Sequence, residues 1–436
     1  MGARETALNA LIDCRVKGAW VNEAVKELSV RDRLENRDAG LAARLCYGVV
    51  QNRARLDFYL NQLYHGKKLH PVVRDILHLG LYQIYCMDRI PASAAVNEAV
   101  ALTKKYCPSQ RGAPGLVNGV LRSAIRTRGT LAEPTAYEDK YSHPPQLVAL
   151  LKQALPKGKL EPMLIADNQA PPLAVQVNTT KITCGEVVRV LEQEGVTARS
   201  HEWCPDCLIL ENPGRLERLR AFREGFVYVQ DPASRLSVLC AGLPETGARV
   251  LDCCAAPGGK SFAAAVSMGG RGKILSCDIY PHKIDLIRAG AKRLGFENVE
   301  AQQRDAACYN PDWEKEMDAV IADVPCSGLG IIRKKPDIRY KDLDAIRELP
   351  GLQLEILRNV SRYVRPGGVL MYSTCTVLPR ENEQVVASFL GENPDFFPER
   401  LPLPEIFSRN ETGMLTLIPG EYDTDGFFIC RLRRKN

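Results

Sequence analysis

The sequence predicts an α/β protein in three parts: an all-α N-terminal third, a small α+β module, and a doubly wound parallel sheet. Three observations predict it. Apolar residues recur at helical spacing up to about residue 128, with no β-like alternation of any length. Between residues 146 and 235, short alternating runs flank a helical one. From Ala248 onward, strand-like and helix-like segments alternate repeatedly, as a parallel sheet with crossover helices requires. The expected boundaries are 1–128 for the helical domain, 129–145 for a linker, 146–235 for the module and 236–436 for the α/β domain.

Each element follows from its own stretch. In LENRDAGLAARLCYGVVQN, Leu34, Leu41, Leu45, Val49 and Val50 recur at helical spacing. DFYLNQLY continues the pattern with Phe58, Leu60 and Leu63, and His70-Pro71 breaks it before VVRDILHLGLYQIYCM. Ser93 reads as the N-cap of AAVNEAVALTKKY. GAPGLVNGVLRSAIRTR starts near Pro114 and ends in arginines. GTLAEPTAYEDKYSHPP is polar, Pro-rich and aperiodic, hence the linker. QLVALLKQALP is a short helix. PPLAVQVNTTKIT, CLILEN and FVYVQ read as strands, CGEVVRVLEQEGV as a helix, and QDPASRLSVLCAGL as the connection to the α/β domain. There, ARVLDCCA, GKILSCDI, VEAQQRD, DAVIADV and GVLMYSTC are strands, with helical stretches from Lys260, Pro281, Asp342 and Glu381. TLIPG and GFFICRLRRK read as an antiparallel pair at one edge.

Composition narrows the class. At 45% hydrophobic and 25% charged residues the chain is an ordinary globular protein. No apolar run is long enough to span a bilayer, and MGARETALNALIDCRVKG carries charges inside its apolar pattern, unlike a signal peptide. A cytoplasmic protein without a membrane partner is expected. The 15 cysteines are odd in number and irregular in spacing. Only Cys204 and Cys207 form C-x-x-C and no second pair completes a zinc site, so no metal is expected. The net charge of +6 is uneven: residues 1–140 carry 21 Lys and Arg against 14 Asp and Glu, leaving the remainder close to neutral. A basic helical third suits a nucleic-acid-facing domain, although an excess this small also fits a solvated helical surface.

The chemistry gathers at strand ends. After the first strand of the α/β domain comes Cys254, Ala255, Ala256, Pro257, Gly258, Gly259 and Lys260. Small residues and two glycines admit a ligand close to the backbone where a helix opens. This is not G-x-G-x-x-G, so a pyrophosphate is disfavoured, and a plain tight turn is the alternative. The second strand ends in Asp278, 20 residues after Gly258, where a carboxylate can accept ribose hydroxyls. The third ends in Asp305, placed to contact an adenine edge. Either acid alone could be a loop residue or a helix cap; together with the turn they describe an adenosine pocket.

The fourth strand, MDAVIADVPCSG, ends in Asp323 and Cys326, with Pro325 stiffening the turn between them. The fifth ends in Ser373-Thr-Cys375-Thr. If the strand order reverses after the first strand, the fourth and fifth are neighbours. Both thiols then reach one rim beside the adenosine pocket. A free cysteine is often just a small buried apolar residue. Two of them from separate strands at one rim are hard to explain that way.

LDCCAAPGGKS, DVPCSGLG, RKKPDI and YSTCT, together with QDPASRLSV and the terminal DGFF, resemble the motifs of RNA cytosine-5 methyltransferases that use S-adenosylmethionine. Val324 departs from the Ala or Pro more usual there. The all-α start followed by this core is similar to the bacterial Fmu/Sun group of that family, which acts on 16S ribosomal RNA, and its first domain resembles the antitermination factor NusB. The core resemblance covers residues 146–436; the N-terminal one rests on helical pattern and segment order.

The resemblance implies a Rossmann-like S-adenosylmethionine-dependent methyltransferase core behind a NusB-like all-α domain. The implied partner is 16S ribosomal RNA, naked or in a partly assembled small subunit, with no DNA, and a monomer is expected. It implies Cys375 as the nucleophile, Cys326 as the group that helps release the adduct, and Asp323 as the contact to the cytosine N3/N4 edge. Residues 254–260 with Asp278, Asp305 and Asp323 would hold the cofactor. Lys260 would either lower a thiol pKa or hold the methionine part of the cofactor. Arg333, Lys334 and Lys335 would contact phosphates, unless that turn is simply solvated. The rival readings are a transfer-RNA cytosine-5 methyltransferase, a DNA cytosine-5 methyltransferase with its nucleophile in Pro325-Cys326, and a non-catalytic RNA-binding or antitermination factor.

Overall fold

The computed structural model describes residues 2–407 and 412–436. The chain divides into two compact units, one comprising residues up to Gln153 with Leu164–Gln169 and Ile332–Lys341, the other the remainder. Among the described residues no helix is long and apolar enough to cross a membrane.

The first unit is helical: α1 (Ala3–Lys17), α2 (Val21–Arg31), α3 (Asn36–Gln51), α4 (Arg53–Leu63), α5 (Pro71–Cys86), α6 (Ala92–Tyr106) and α7 (Ala113–Arg126). Helix α5 is buried on every side from Ile76 to Ile84. A helix with no continuous polar face must be surrounded, and α1, α3, α4, α6 and α7 pack around it. Gly48 permits the approach of α3, since a Cβ there would lie 1.9 Å from the Tyr82 ring. Pro71 and Pro114 sit in first turns, where a missing N–H costs nothing. Ser93 does not cap α6. The helix starts at Ala92, with Pro91 as N-cap, because the alanines around Ser93 extend it backwards.

The expected linker is ordered. It contains α8 (Tyr137–Lys140) and the start of α9 (Pro145–Ala154). Tertiary bonds hold it against α4: Tyr59 OH donates to Glu133 Oε2 at 2.6 Å and Ala54 N to Ser142 Oγ at 2.9 Å. Periodicity cannot register such bonds. The same applies to residues 332–341, expected within the α/β domain but grouped with the helical unit. Arg339 is buried there, donating to the carbonyls of Gln51 at 2.7 Å and Ser142 at 2.9 Å. Of the three basic residues expected at phosphates, Arg333 is buried and Lys335 Nζ lies 5.9 Å from the Trp20 ring centroid.

After α10 (Leu160–Ala166) come β1 (Leu173–Val177), α11 (Cys184–Gln193), β2 (Thr197–Ser200), β3 (Cys207–Glu211), α12 (Arg220–Arg223) and β4 (Val227–Val229). The strands form an antiparallel sheet in the order β2-β3-β1-β4. Thr183 and Glu186 close a capping box on α11. Strand β2 is polar and mostly exposed, so it lacked the alternation that identifies strands. Cys204 and Cys207 are buried in an apolar cluster with Trp203 and Ile209.

The larger sheet is built from α13 (Pro232–Ala241), β5 (Arg249–Asp252), α14 (Gly259–Ser267), β6 (Lys273–Asp278), α15 (Pro281–Leu294), β7 (Val299–Gln303), β8 (Met317–Asp323), α16 (Leu343–Ile346), α17 (Leu349–Ser361), β9 (Val364–Thr374), α18 (Glu383–Glu392), β10 (Phe396–Pro398), β11 (Met414–Leu417) and β12 (Phe427–Arg434). Its order is β10-β12-β9-β8-β5-β6-β7, with β11 pairing β12. Strands β5 to β9 are parallel, whereas β12 runs antiparallel to β9, β10 and β11. The terminal pair is therefore antiparallel as expected, but β12 is not an edge strand. It buries Phe428 and Cys430 on one face and Ile429 on the other. Both faces of β8 are also covered, Ala319 and Ile321 on one side, Val320 and Ala322 on the other. This is why a parallel strand reads as a continuous apolar run. The order reverses at β5, opening a crevice beyond the C-terminal ends of β5 and β8.

Candidate active site

The crevice collects the chemistry-bearing residues. Strands β8 and β9 are in parallel register with Asp323 opposite Ser373. Cys326 follows that pair by three positions and Cys375 by two, each on a turn, and their sulfurs meet at 3.2 Å. Both thiols are half-buried. The hydrogen bond with Cys375 first, then burial, holds the Cys326 thiol well above its ordinary range, so Cys326 keeps its proton at neutral pH.

Asp323 Oδ2 accepts from Lys260 Nζ at 2.6 Å, and Oδ1 accepts from Ser373 Oγ at 2.8 Å. Lys260 is buried, also donates to Ser234 Oγ at 2.9 Å, and lies 5.0 Å from the Phe427 ring centroid. Its charge is thus committed to Asp323. The sequence left it between a thiol and the cofactor, because nothing local links Lys260 to a residue 63 positions away.

The turn from Cys254 to Gly259 runs between β5 and α14. Ala255 N donates to Cys277 O at 2.7 Å, Gly258 N to Ala255 O at 2.7 Å, and Ala256 N to Asp278 Oδ2 at 3.4 Å. The turn and the end of β6 therefore form one wall. Asp278 is buried there, and Ile279 and Tyr280 beside it are large apolar residues left exposed. Asp305 is exposed, two residues past β7, with Oδ1 accepting Ala307 N at 2.9 Å. Arg304 N bonds Asp278 O at 3.0 Å, which draws Asp305 towards the same wall.

Gly258 has φ +112°, and a Cβ there would lie 2.4 Å from the Phe262 ring. Gly258→Ala is expected to destabilise the protein by about 1–3 kcal/mol, read from the urea midpoint at unchanged slope.

Asp252, at the end of β5, was not singled out from sequence, being hidden in an otherwise apolar strand. It is fully buried; Oδ2 accepts Ser261 Oγ at 2.7 Å, and Oδ1 has no hydrogen-bond partner among the described residues. Burial pushes its pKa up to about 7. A carboxyl whose folded pKa is raised contributes stability fully present below its unfolded value near 3.9, and that contribution is lost as pH rises towards 7. Stability measured without ligand is therefore expected to fall between pH 5 and pH 7.5, by an amount of order a few kcal/mol. Asp252→Asn should flatten that limb; an unchanged profile would place the ionisation elsewhere.

Small residues along a turn, a buried acid at the next strand end, apolar side chains beside it and an orphaned carboxylate oxygen below fit a nucleoside bearing a cationic amino-acid chain. An ion-paired carboxylate and two thiols lie at the same strand ends. The fold and these groups define an S-adenosylmethionine-dependent RNA methyltransferase, and the comparisons agree. The profile of the 16S rRNA methyltransferase RsmB/F family matches residues 241–433, that of the NusB family residues 1–126, and that of an RsmF/B-like ferredoxin-like domain residues 143–217. The chain is 36% identical to a probable ribosomal RNA small subunit methyltransferase B of Bacillus subtilis, over 99% of this chain and 98% of the relative. It is 34% identical to ribosomal RNA small subunit methyltransferase B of Klebsiella pneumoniae, over 93% of each. The crystal structure of PH0851 superposes with TM-score 0.81 at 26% identity over 99% of both chains. That of NSun6 from Pyrococcus horikoshii with SFG has TM-score 0.59 at 21% identity, over 67% of this chain and 98% of that one, and shares the fold. The chain belongs to the RsmB/F family of ribosomal RNA small subunit methyltransferases.

Proposed function

We propose that this protein methylates carbon 5 of a cytosine in 16S ribosomal RNA, in the cytoplasm, through a transient bond between Cys375 and carbon 6 of the base. The observation that carries the reading is the pair of thiols 3.2 Å apart beside the Lys260–Asp323 ion pair. Amino nitrogens and ribose hydroxyls carry lone pairs and need no thiol to become nucleophiles. Carbon 5 of cytosine does, because electron density must first be pushed onto it.

Cys375 supplies that density by adding its sulfur electron pair to carbon 6. Asp323 has one bond on each oxygen and keeps lone pairs to accept from the N4 amino group of the base, and from N3 once addition at carbon 6 has brought a proton there. Lys260 holds that carboxylate in place and offsets its charge. Residues 254–260, Asp278, Asp305 and Asp323 hold the cofactor, which when bound supplies an electrophilic methyl group. Release then requires removal of the carbon 5 proton and cleavage of the carbon 6–sulfur bond. When Cys375 is bonded to carbon, Cys326 loses the hydrogen bond that most strengthens its hold on its own proton. Cys326 can then ionise and take the carbon 5 proton while Cys375 departs as thiolate.

The target base must leave its stack to reach both thiols, which favours a looped RNA site over a perfect duplex. The basic helical domain supports phosphate contacts that position the RNA without reading its sequence. The test is to incubate the protein with methyl-labelled S-adenosylmethionine and, in separate reactions, 16S ribosomal RNA and transfer RNA, then digest to nucleosides. Label in 5-methylcytosine is expected. Label in any other nucleoside overturns the carbon 5 assignment, and labelling confined to transfer RNA overturns the substrate.

A further inference from the structure

We propose that Glu381 and Asn382 form one buried clamp that sets the separation of the two thiols, making both of them positioning residues for the reaction. The catalytic consequence rests on the two-thiol reading above; the geometry does not.

Each cysteine is bracketed by its two chain neighbours. Around Cys326, Ser327 N donates to Glu381 Oε2 at 2.8 Å, while Gln353 Nε2 donates both to Pro325 O and to Glu381 Oε2 at 3.0 Å. Around Cys375, Thr374 Oγ1 donates to Asn382 Oδ1 at 2.6 Å and Asn382 Nδ2 donates to Thr376 O at 3.0 Å. The brackets are cross-linked, Ser327 Oγ donating to Thr376 Oγ1 at 2.8 Å. Two adjacent residues thus hold residues 327, 374 and 376 directly, and residue 325 through Gln353. Every side chain in the network is fully buried, so no water competes for these bonds and their geometry is stiff.

Two features are poorly explained by stability alone. Asn382 is the N-cap of α18, where an asparagine usually turns its side-chain oxygen onto the helix's own N–H groups. It makes no such bond, and its side chain is spent on the Cys375 strand. Glu381 is completely buried, with Oε1 lacking a hydrogen-bond partner among the described residues. An unsatisfied buried carboxylate oxygen is costly, and a neutral glutamine could accept from Ser327 N equally well. The charge does have an effect on chemistry: it lies where it favours the protonated form of Cys326.

The test needs neither RNA nor cofactor for its first arm. The full-length protein is treated with oxidised glutathione, and the Cys326–Cys375 disulfide is followed by peptide mass spectrometry. Two thiols are oxidised as one glutathione disulfide is reduced to two thiols. The wild type is expected to couple readily. Asn382→Asp, which removes the donor to Thr376, and Glu381→Met, which removes the acceptor for Ser327 N and Gln353 Nε2, should each couple about tenfold more slowly, the worth of one to two hydrogen bonds. Thr374→Val, isosteric and at home in a strand, serves as a third variant should either of these fail to fold.

In the second arm, methyl transfer by the same variants should fall about 100-fold, as for a misplacement near 1 Å, with cofactor affinity unchanged. Glu381→Gln, which keeps an acceptor and removes the charge, should move the pH profile to lower pH. Wild-type coupling rates in all variants, no disulfide in the wild type, or a parallel loss of cofactor affinity would each overturn the clamp. Slowed coupling in a protein whose wild type does not methylate cytosine would leave the clamp standing and remove the two-thiol mechanism.

Discussion

Cys326→Ala is expected to accumulate a covalent protein–RNA adduct that survives denaturing electrophoresis, whereas Cys375→Ala is expected to form none. The two sulfurs are 3.2 Å apart, so either could reach the same ring carbon, and geometry alone does not rank them. The family motifs do: the resemblance of YSTCT and DVPCSG gives the attack to Cys375 and the proton handling to Cys326. Removing Cys326 leaves Cys375 free to add to carbon 6 but takes away the group that strips the carbon 5 proton, so the adduct persists. Removing Cys375 takes away the nucleophile, and turnover should drop by roughly 10⁴-fold or more, as when one member of a covalent catalytic set is deleted. Labelled 16S ribosomal RNA with S-adenosylmethionine provides the assay. An adduct in Cys375→Ala, absent in Cys326→Ala, would exchange the two roles and favour a nucleophile of the Pro-Cys kind.

The second large effect is expected from Lys260→Met. Methionine fills similar space beside the Phe427 ring, while the ammonium that faces that ring and Asp323 is removed. Among the described residues Asp323 then keeps the hydrogen bond from Ser373 and loses its ion-pair partner. Loss of one preorganised electrostatic partner typically lowers the chemical step by about 10²–10³-fold. The expected pattern is that loss in kcat, with little change in the dissociation constant for S-adenosylmethionine measured by calorimetry. The alternative role for Lys260, holding the methionine part of the cofactor, predicts the reverse: weakened cofactor binding with kcat recovered at saturation. Asp323→Asn should share the kcat defect, and the double variant should be no worse than about either single one, since both remove the same interaction.

Much of this was legible along the chain because it repeats or is local. Helical spacing reveals the bundle, whereas the place of α5 at its centre emerges only from the burial of its whole circumference between Ile76 and Ile84. Continuous short apolar runs ending in Asp278, Asp323 and Cys375 reveal a parallel sheet with its reactive groups on one rim. The cysteines could be brought together on paper because strand order in such sheets follows few rules. Ser93 was misplaced as a cap because a serine flanked by alanines can equally be an interior helix residue.

What the sequence by itself determined was the longer elements, the class of chemistry and the residues at the strand ends, since periodicity and turn chemistry are encoded within a few positions of one another. Tertiary structure alone decided how those residues are wired. Lys260 meets Asp323 across 63 positions, Gln353 reaches the Cys326 turn across 28, and Arg339 draws its segment into the helical unit from 288 residues past Gln51. Glu381 and Asn382 look like an ordinary polar helix start until both are seen buried against the thiols. The physical reason is that a buried side-chain hydrogen bond needs only proximity and direction in space, which the folded chain supplies and which no spacing along it records.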